Sequence, residues 1–290
     1  MSHRPPARSP RAAVPPLLVV LVVLLGLTVG PLLAAAPGGA SGAGTGAPTA
    51  GERTVEEPSA PPALPAATDV DYQLGGVDEV PDHVGIVVRD RTEEPAGVYD
   101  VCYVNGFQTQ PDARRFWRER WSLVLKDDRG RPVVDSAWGE WLLDLRTASK
   151  RERVARIVGR WIDGCARDGF EAVELDNLDS FLRSDGLLRR GQNLALASLL
   201  VERGHAAGLA VAQKNLAGYD GTRIGFDLAV AEECGRYDEC DAYTEVFGDQ
   251  VVVVEYRDRD FEATCAGFGD ALPVVRRDRP LRPAYDPRWC

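Results

Sequence analysis

The chain has 290 residues, of which 44% are hydrophobic and 27% charged, and its formal net charge is −10. That length holds one large domain or two small ones, with the balance of an ordinary globular protein. Phosphate backbones are bound by clustered Lys and Arg, so an acidic chain argues against a nucleic-acid partner and fits a cationic or neutral ligand.

Positive charge collects at the N-terminus, where the first 36 residues carry Arg4, Arg8 and Arg11 and no acid. These precede an apolar run over residues 16–36 that ends Leu32-Leu33-Ala34-Ala35-Ala36. A basic start, an apolar stretch and small residues at its end predict an export signal over residues 1–36. The run also approaches the length of a membrane span, so the alternative is an uncleaved N-terminal anchor. Either places the following domain outside the cytosol, secreted or held at the outer face of the membrane. Residues 37–68 are mostly Gly, Ala, Pro, Ser and Thr, which predicts a disordered linker. Its Gly42, Gly44 and Gly46 follow no strand and open no helix, so they make no phosphate loop. The folded domain is expected over residues 69–290, with a net charge of −11.

From Asp69 onward, short apolar runs alternate with helical patterns. Strands are predicted at 70–74, 84–88, 101–104, 171–175, 209–213, 226–230, 251–254 and 272–275. Most are near-continuous apolar runs, as in parallel strands buried on both faces. The clearest helix spans 150–167, where Val154, Ile157, Val158, Trp161, Ile162 and Cys165 form one apolar face and Gly169 stops it. A second helix is predicted over 188–206. This alternation gives an α/β fold and suggests a (β/α)8 TIM barrel, although a doubly wound open sheet shares the pattern. The link between the second and third strands holds Pro95 and Gly97 and is too short for a full crossover helix.

All six cysteines lie beyond the linker, which reads as disulfide bonding in an oxidising compartment. Local grounds favour the set Cys234–Cys240, Cys265–Cys290 and Cys102–Cys165. The domain has no C-x-x-C pair and only His83 and His205, so neither a zinc site nor any other cofactor is expected.

Active sites of barrels sit at the C-terminal ends of their strands. Here those ends carry Gln73, then Tyr103 and Asn105, then Asp176-Asn177-Leu178-Asp179, Lys214-Asn215, Ala231-Glu232-Glu233 and Glu255-Tyr256. A carboxylate directly after a buried strand is costly unless it faces a polar cavity or a partner. Any one of Asp176, Asp179 and Asp238 can be read as a helix cap, but the convergence of the whole set points to a pocket. Two facing carboxylates without a His base, a nucleophilic Ser motif or a metal triad suit glycoside hydrolysis. Lys214 beside Asp176 would keep that acid ionised and leave Glu232 as the proton donor. Gln73, Tyr103, Asn177, Asp179, Lys214, Asn215, Glu255 and Tyr256 are the expected substrate-binding and orienting residues. The competing readings are a non-catalytic carbohydrate-binding barrel and a carboxylate metal site acting on phosphodiesters. Trp117, Trp121, Trp138 and Trp141 are expected to pack against the barrel, and the run 276–279 to form an exposed tail.

The strings Tyr72-Gln73-Leu74, Val101-Cys102-Tyr103, the segment 169–181 around Leu175-Asp176-Asn177-Leu178-Asp179, Lys214-Asn215, the segment 226–241 around Ala231-Glu232-Glu233-Cys234, and Val254-Glu255-Tyr256 resemble glycoside hydrolase family 114, the endo-α-1,4-polygalactosaminidases. The resemblance spans about residues 70–257 and is most specific between Phe226 and Asp241. It implies a TIM-type barrel, endo-cleavage of α-1,4-linked galactosamine polymers, and a catalytic pair at Asp176 and Glu232. A cationic amino-sugar polymer as partner also suits the acidic domain; a monomer is expected, touching membrane only through its N-terminal segment. The chain departs from the family at Ala231, where Asn is usual and one substrate hydrogen bond is implied lost. It departs again at Val104-Asn105-Gly106-Phe107-Gln108-Thr109, where a Ser-Ala-Gly-Ser-Trp type of string is expected.

Overall fold

The computed structural model describes residues 60–290; the export-signal reading of 1–36 and the linker up to residue 59 lie outside the described residues. Nine strands hydrogen-bond side by side in one sheet, which curls into a nearly closed barrel. Eight are parallel neighbours in chain order: β1 (Asp69–Gln73), β2 (Val84–Asp90), β3 (Tyr99–Asn105), β4 (Ala172–Asp176), β5 (Ala210–Lys214), β6 (Leu228–Glu232), β7 (Val251–Glu255) and β8 (Val274–Arg276). Each agrees with an expected strand to within two residues at either end. The ninth strand, Arg288–Trp289, runs antiparallel to β8. No described helix is long and apolar enough to cross a membrane.

Period-two alternation divides the strand residues into two layers. Inside the barrel lie Val70, Ile86, Val88, Val101, Ala172, Ala210, Ala212, Leu228, Val230, Val252, Val254 and Val275. The opposite faces of β3 to β7 pack outward, against helices α1 (Ala148–Asp168) and α2 (Arg190–Ala206) and the flanking elements. Thr147 caps α1 by accepting from the Lys150 amide, and Gly169, at φ 97°, ends it in the left-handed conformation. At Gly204 of α2 a Cβ would come within 2.4 Å of Val211 Cγ2, so glycine is what lets this helix lie close on β5. Two shorter helices, α3 (Cys240–Phe247) and α4 (Asp258–Phe268), follow β6 and β7.

Helical cover is thinner than the sequence pattern implied. The link from β2 to β3 is a loop, as its spacing predicted, but the β1–β2 link also has no helix and the β5–β6 link has only the 3-10 turn Gly221–Ile224. The outward faces of β1 and β2 carry Asp71, Gln73 and Arg89 around Val87, which leave a helix little apolar surface to pack on. They satisfy one another instead. Gln73 Nε2 donates to Asp71 Oδ2 at 2.7 Å, and Arg89 Nε donates to Gln73 Oε1 at 3.0 Å and its Nη1 to the Glu94 carbonyl at 2.9 Å.

Two more expectations are corrected. Residues 60–68 belong to the folded domain, not the linker. Leu64 joins the inner apolar cluster, its amide donates to Gln250 Oε1 at 2.7 Å, and Tyr99 Oη donates to the Pro62 carbonyl at 2.8 Å. Burying that one leucine is worth roughly 1.5–3 kcal/mol; in a Pro/Ala stretch it carries no periodicity to be read. Nor is the run 276–279 an exposed tail, because Arg277 is only 2% exposed. Its Nη1 donates to Asp71 Oδ1 at 2.6 Å and to the Tyr72 carbonyl at 2.7 Å. Trp289 Nε1 donates to the Val70 carbonyl at 2.8 Å. These side chains join β8 to β1, which are not strand-paired with each other.

The three disulfides are the expected ones: Cys102–Cys165, Cys234–Cys240 and Cys265–Cys290. The first ties β3 to α1 across a separation of 63 residues, a closure worth about 4 kcal/mol in the chain-entropy picture. Glu255 sits beside Cys234 and Cys240, but both sulfurs are already bonded to each other.

Breaking the Arg277–Asp71 pair strands a buried charge, which costs about 3–5 kcal/mol. Arg277→Met is therefore expected to lower the thermal midpoint markedly, and the double variant Asp71→Leu/Arg277→Met to recover part of the loss. Thermal unfolding followed by circular dichroism checks both.

Candidate active site

At the C-terminal end of the barrel the inward layer changes from apolar to ionisable. On β4 the inward series is Ala172, Glu174, Asp176; on β5 it is Ala210, Ala212, Lys214; on β6 it is Leu228, Val230, Glu232. The residue after each of these strands is left-handed: Asn177 at φ 67°, Asn215 at φ 53° and Glu233 at φ 57°. Asn tolerates that conformation, whereas Glu rarely adopts it. Glu233 is held there by its amide, which donates to the Val254 carbonyl at 2.8 Å, and by ion pairs to Arg236 and Arg279. The sharp turns leave Asp176 and Glu232 at the rim of the barrel mouth.

Lys214 sits between them, 2% exposed. Its Nζ donates to Tyr72 Oη at 2.8 Å, Glu174 Oε1 at 2.7 Å and Asp176 Oδ1 at 3.3 Å, and lies 3.3 Å from Glu232 Oε2. Burial works against the charge of this ammonium, but Asp176, Glu174 and Glu232 outweigh it and hold its pKa well above the ordinary lysine value. Burial likewise pushes Asp176 upward. The Lys214 charge, the Tyr103 hydroxyl donating to Oδ2 at 2.6 Å and the Asn177 backbone more than reverse this, and the carboxyl titrates below its usual range. Asn177 Nδ2 adds a further bond to Oδ2 at 3.0 Å. Both Asp176 oxygens are thus committed to donors.

Glu232 is more loosely held. Tyr256 Oη donates to its Oε1, Asn215 Nδ2 approaches Oε2 at 3.4 Å, and the Glu232 amide donates to Asn215 Oδ1 at 3.0 Å. Burial raises the phenols of Tyr72, Tyr103 and Tyr256 well above the ordinary value, so all three remain hydrogen-bond donors.

Tyr103, Asn177, Asp179, Lys214 and Asn215 line one cavity with Asp176 and Glu232, with a volume of about 580 Å³. Three expected substrate contacts do not line it: Gln73, Glu255 and Tyr256, the last of which reaches the Glu232 carboxylate instead. Gln73 and Glu255 stand on the outward faces of β1 and β7, because alternation puts Tyr72 and Val254 inside. Gln73 belongs to the Arg89 network. Glu255 Oε1 accepts from the Gly235 amide at 2.8 Å and from Thr264 Oγ1 at 3.3 Å, and burial raises its pKa to about 7. Ala231 also faces outward, in the cluster packed against the helices, so it takes no hydrogen bond from the cavity.

Sequence reasoning missed Glu174, Glu140, Asp135 and Arg183. Glu174 is wholly buried; that burial, reinforced by Asp176 and opposed by Lys214 and Tyr72, raises its pKa to about 7. It was legible in principle, since it stands two residues before Asp176 on the same face. Glu140 and Asp135 come from a small three-stranded sheet inserted between β3 and α1 and formed by Gln108–Thr109, Val134–Asp135 and Glu140–Leu142. Nothing in the barrel pattern marks that insertion. Glu140 Oε2 accepts from Asn105 Nδ2 at 3.0 Å, and burial raises its pKa to about 7. Arg183 pairs with Asp135 at 2.9 Å and Asp179 at 2.8 Å. Of the four tryptophans expected to pack, Trp117 and Trp141 are buried, whereas Trp138 is half exposed and lines the cavity.

The crystal structure of Aspergillus fumigatus Ega3 in complex with galactosamine is similar to this chain, with a TM-score of 0.63 and 20% identity, covering 81% of this chain and 100% of that one. The glycoside hydrolase domain of PelA from Pseudomonas aeruginosa is similar with a TM-score of 0.54 and 14% identity, covering 77% of this chain and 98% of that one. At such identities the two structures speak for the shared barrel fold. Among curated proteins no sequence matches. The sequence profile of glycoside-hydrolase family GH114 matches residues 51–289, almost all of the described domain and beyond its start. A barrel with paired carboxylates at its mouth and a family match of that extent lead to one conclusion: the chain is a glycosidase and belongs to glycoside hydrolase family GH114.

Proposed function

We propose that the protein is an exported endo-hydrolase of an α-1,4-linked galactosamine polymer, with Asp176 as nucleophile and Glu232 as proton donor. The observation that carries this reading is the single ammonium of Lys214, 3.3 Å from one oxygen of each acid. Asp176, tied down at both oxygens, is the acid that stays ionised. Glu232 stands nearer the solvent, and the role of proton donor is assigned to it. In the first step Asp176 attacks the anomeric carbon while the glycosidic C–O bond breaks and the Glu232 proton passes to the departing oxygen. In the second, Glu232 takes a proton from water, which displaces Asp176 from the sugar.

The shared ammonium also bears on stereochemistry. Two oxygens each 3.3 Å from one nitrogen lie no further apart than twice that, and reach it only if the nitrogen is on the line between them. Any bend moves them towards the about 5–5.5 Å of retaining enzymes and away from the about 6.5–9.5 Å of inverting ones. Retention is therefore the expected outcome. Formation of the glycosyl ester removes the charge of Asp176, and Glu174, beneath it, keeps Lys214 paired through that interval.

Support for the substrate comes from the cavity, where Asp90, Glu93, Asp112, Asp135 and Glu140 add to the two catalytic acids against Arg183, Lys214 and Arg279. An ammonium-bearing sugar suits that field, and Ega3 was solved with galactosamine. Tyr103, Asn177, Asp179 and Asn215 are the proposed sugar contacts. Three disulfides in one domain fit an oxidising, extracellular setting.

Asp176→Asn and Glu232→Gln are each expected to lower turnover of an α-1,4-galactosamine polymer by at least about 100-fold, measured by release of reducing ends; binding by the wild type without turnover would sink the reading in favour of a carbohydrate-binding barrel. Proton NMR of the first products is expected to show the α-anomer, and an initial β-anomer would assign inversion instead. Because Lys214 lowers the Asp176 pKa, Lys214→Met should raise it and move the acidic limb of the kcat/KM profile to higher pH, along with a loss of rate.

A further inference from the structure

The cavity does not end at Glu232. Beyond it a second groove, of about 410 Å³, opens over the ends of β4, β5 and β6 between Leu182, Leu216, Ala217, Tyr237 and Glu239. Asp179, Asn215 and Glu232 line both spaces, whereas Asp176 lines only the first. Glu232 is thus the boundary post between them.

The groove is flanked by the two most exposed large apolar side chains among the described residues, Leu182 at 68% and Tyr237 at 58%. Tyr237 is not on a floppy loop. It ends the turn Cys234–Tyr237, which the Cys234–Cys240 disulfide closes, and the Arg236 guanidinium lies 5.0 Å from its ring. A rigid, outward aromatic beside a leucine presents a flat apolar surface, the complement of the C–H face of a pyranose ring. Its position relative to the acids then fixes which part of a polymer it meets. The sugar attacked by a nucleophile lies over that nucleophile, and the departing oxygen lies at the proton donor.

We infer that this groove binds the leaving half of the substrate, the sugar units on the reducing-end side of the bond cut, with Tyr237 as the stacking platform and Leu182 beside it. The inference rests on Glu232 being the proton donor of the proposed reaction and adds the direction in which the polymer lies. The non-reducing half occupies the main cavity, towards Trp138, and the reducing half crosses Glu232 into the groove. A cleft continuous on both sides of the acids accepts a chain in mid-length, as internal cleavage requires.

The test compares two substrates on Tyr237→Ala and Leu182→Ser, both surface changes whose folding is checked by thermal midpoint. One is the galactosamine polymer. The other is a galactosamine oligosaccharide α-fluoride, whose leaving group is too small to enter the groove and needs little help from a proton donor. Each variant is expected to lose about tenfold in kcat/KM on the polymer, the scale of one lost stacking contact, and to stay within about twofold of the wild type on the fluoride. Equal losses on both substrates, or no loss on the polymer, overturn the subsite. A wild type that hydrolyses the fluoride but not the polymer overturns the proposed substrate together with the subsite, and a wild type that hydrolyses neither overturns the proposed reaction as well.

Discussion

Moving an ammonium out of water costs several kcal/mol unless carboxylates surround it with good geometry, and Lys214 at 2% exposure meets that condition with three of them. Because it stands on β5, between β4 and β6, its charge draws Glu174 and Asp176 from one side and Glu232 from the other. Tyr72 of β1 and Tyr103 of β3 complete the ring, by a bond from Lys214 and a bond to Asp176. Five strands therefore meet at one charge, and the position of each acid is set by the barrel's own strand order. Removing any one carboxylate changes the balance for the others, so the group behaves as a unit.

Much of this was legible in the sequence because burial leaves a simple trace. Strands buried on both faces must be apolar along their length, and most of the eight stood out for that reason. Asp176 and Glu232 stood out because an acid after such a run needs a cavity or a partner. What a strand end does not reveal is which face its last residue occupies. Gln73 and Glu255 share their positions along the strand with genuine cavity residues yet look outward, and Ala231 seemed to matter only until alternation placed it in the wall. Counting back in twos from Asp176 reaches Glu174, the acid that an apolar neighbourhood concealed. Glu140 and Asp135 were beyond such counting, since they arrive on an inserted sheet whose approach to the mouth is a tertiary event.

The barrel is asymmetric in how its wall is covered. From β3 to β7 the outer face is apolar, with α1 and α2 packed over it. Around β1 and β2 it is polar, and loops seal it through Asp71, Gln73, Arg89 and Asp100. Asp100 accepts the amides of Ala96, Gly97 and Val98, which folds the β2–β3 link into a tight loop where a helix would otherwise sit. Polar sealing permits short connections, and the space saved is at the side where Asp90 and Glu93 reach the cavity.

The seam between the first and last strands has a consequence for the order of events in the life of the chain. Asp71 and Tyr72 find their partner in Arg277, and Val70 finds Trp289, more than 200 positions later. A ribosome delivers those partners long after β1, so until then the growing polypeptide is a barrel that cannot shut. The bond from Cys290 back to Cys265 fastens the ninth strand, which carries Trp289, beside that seam.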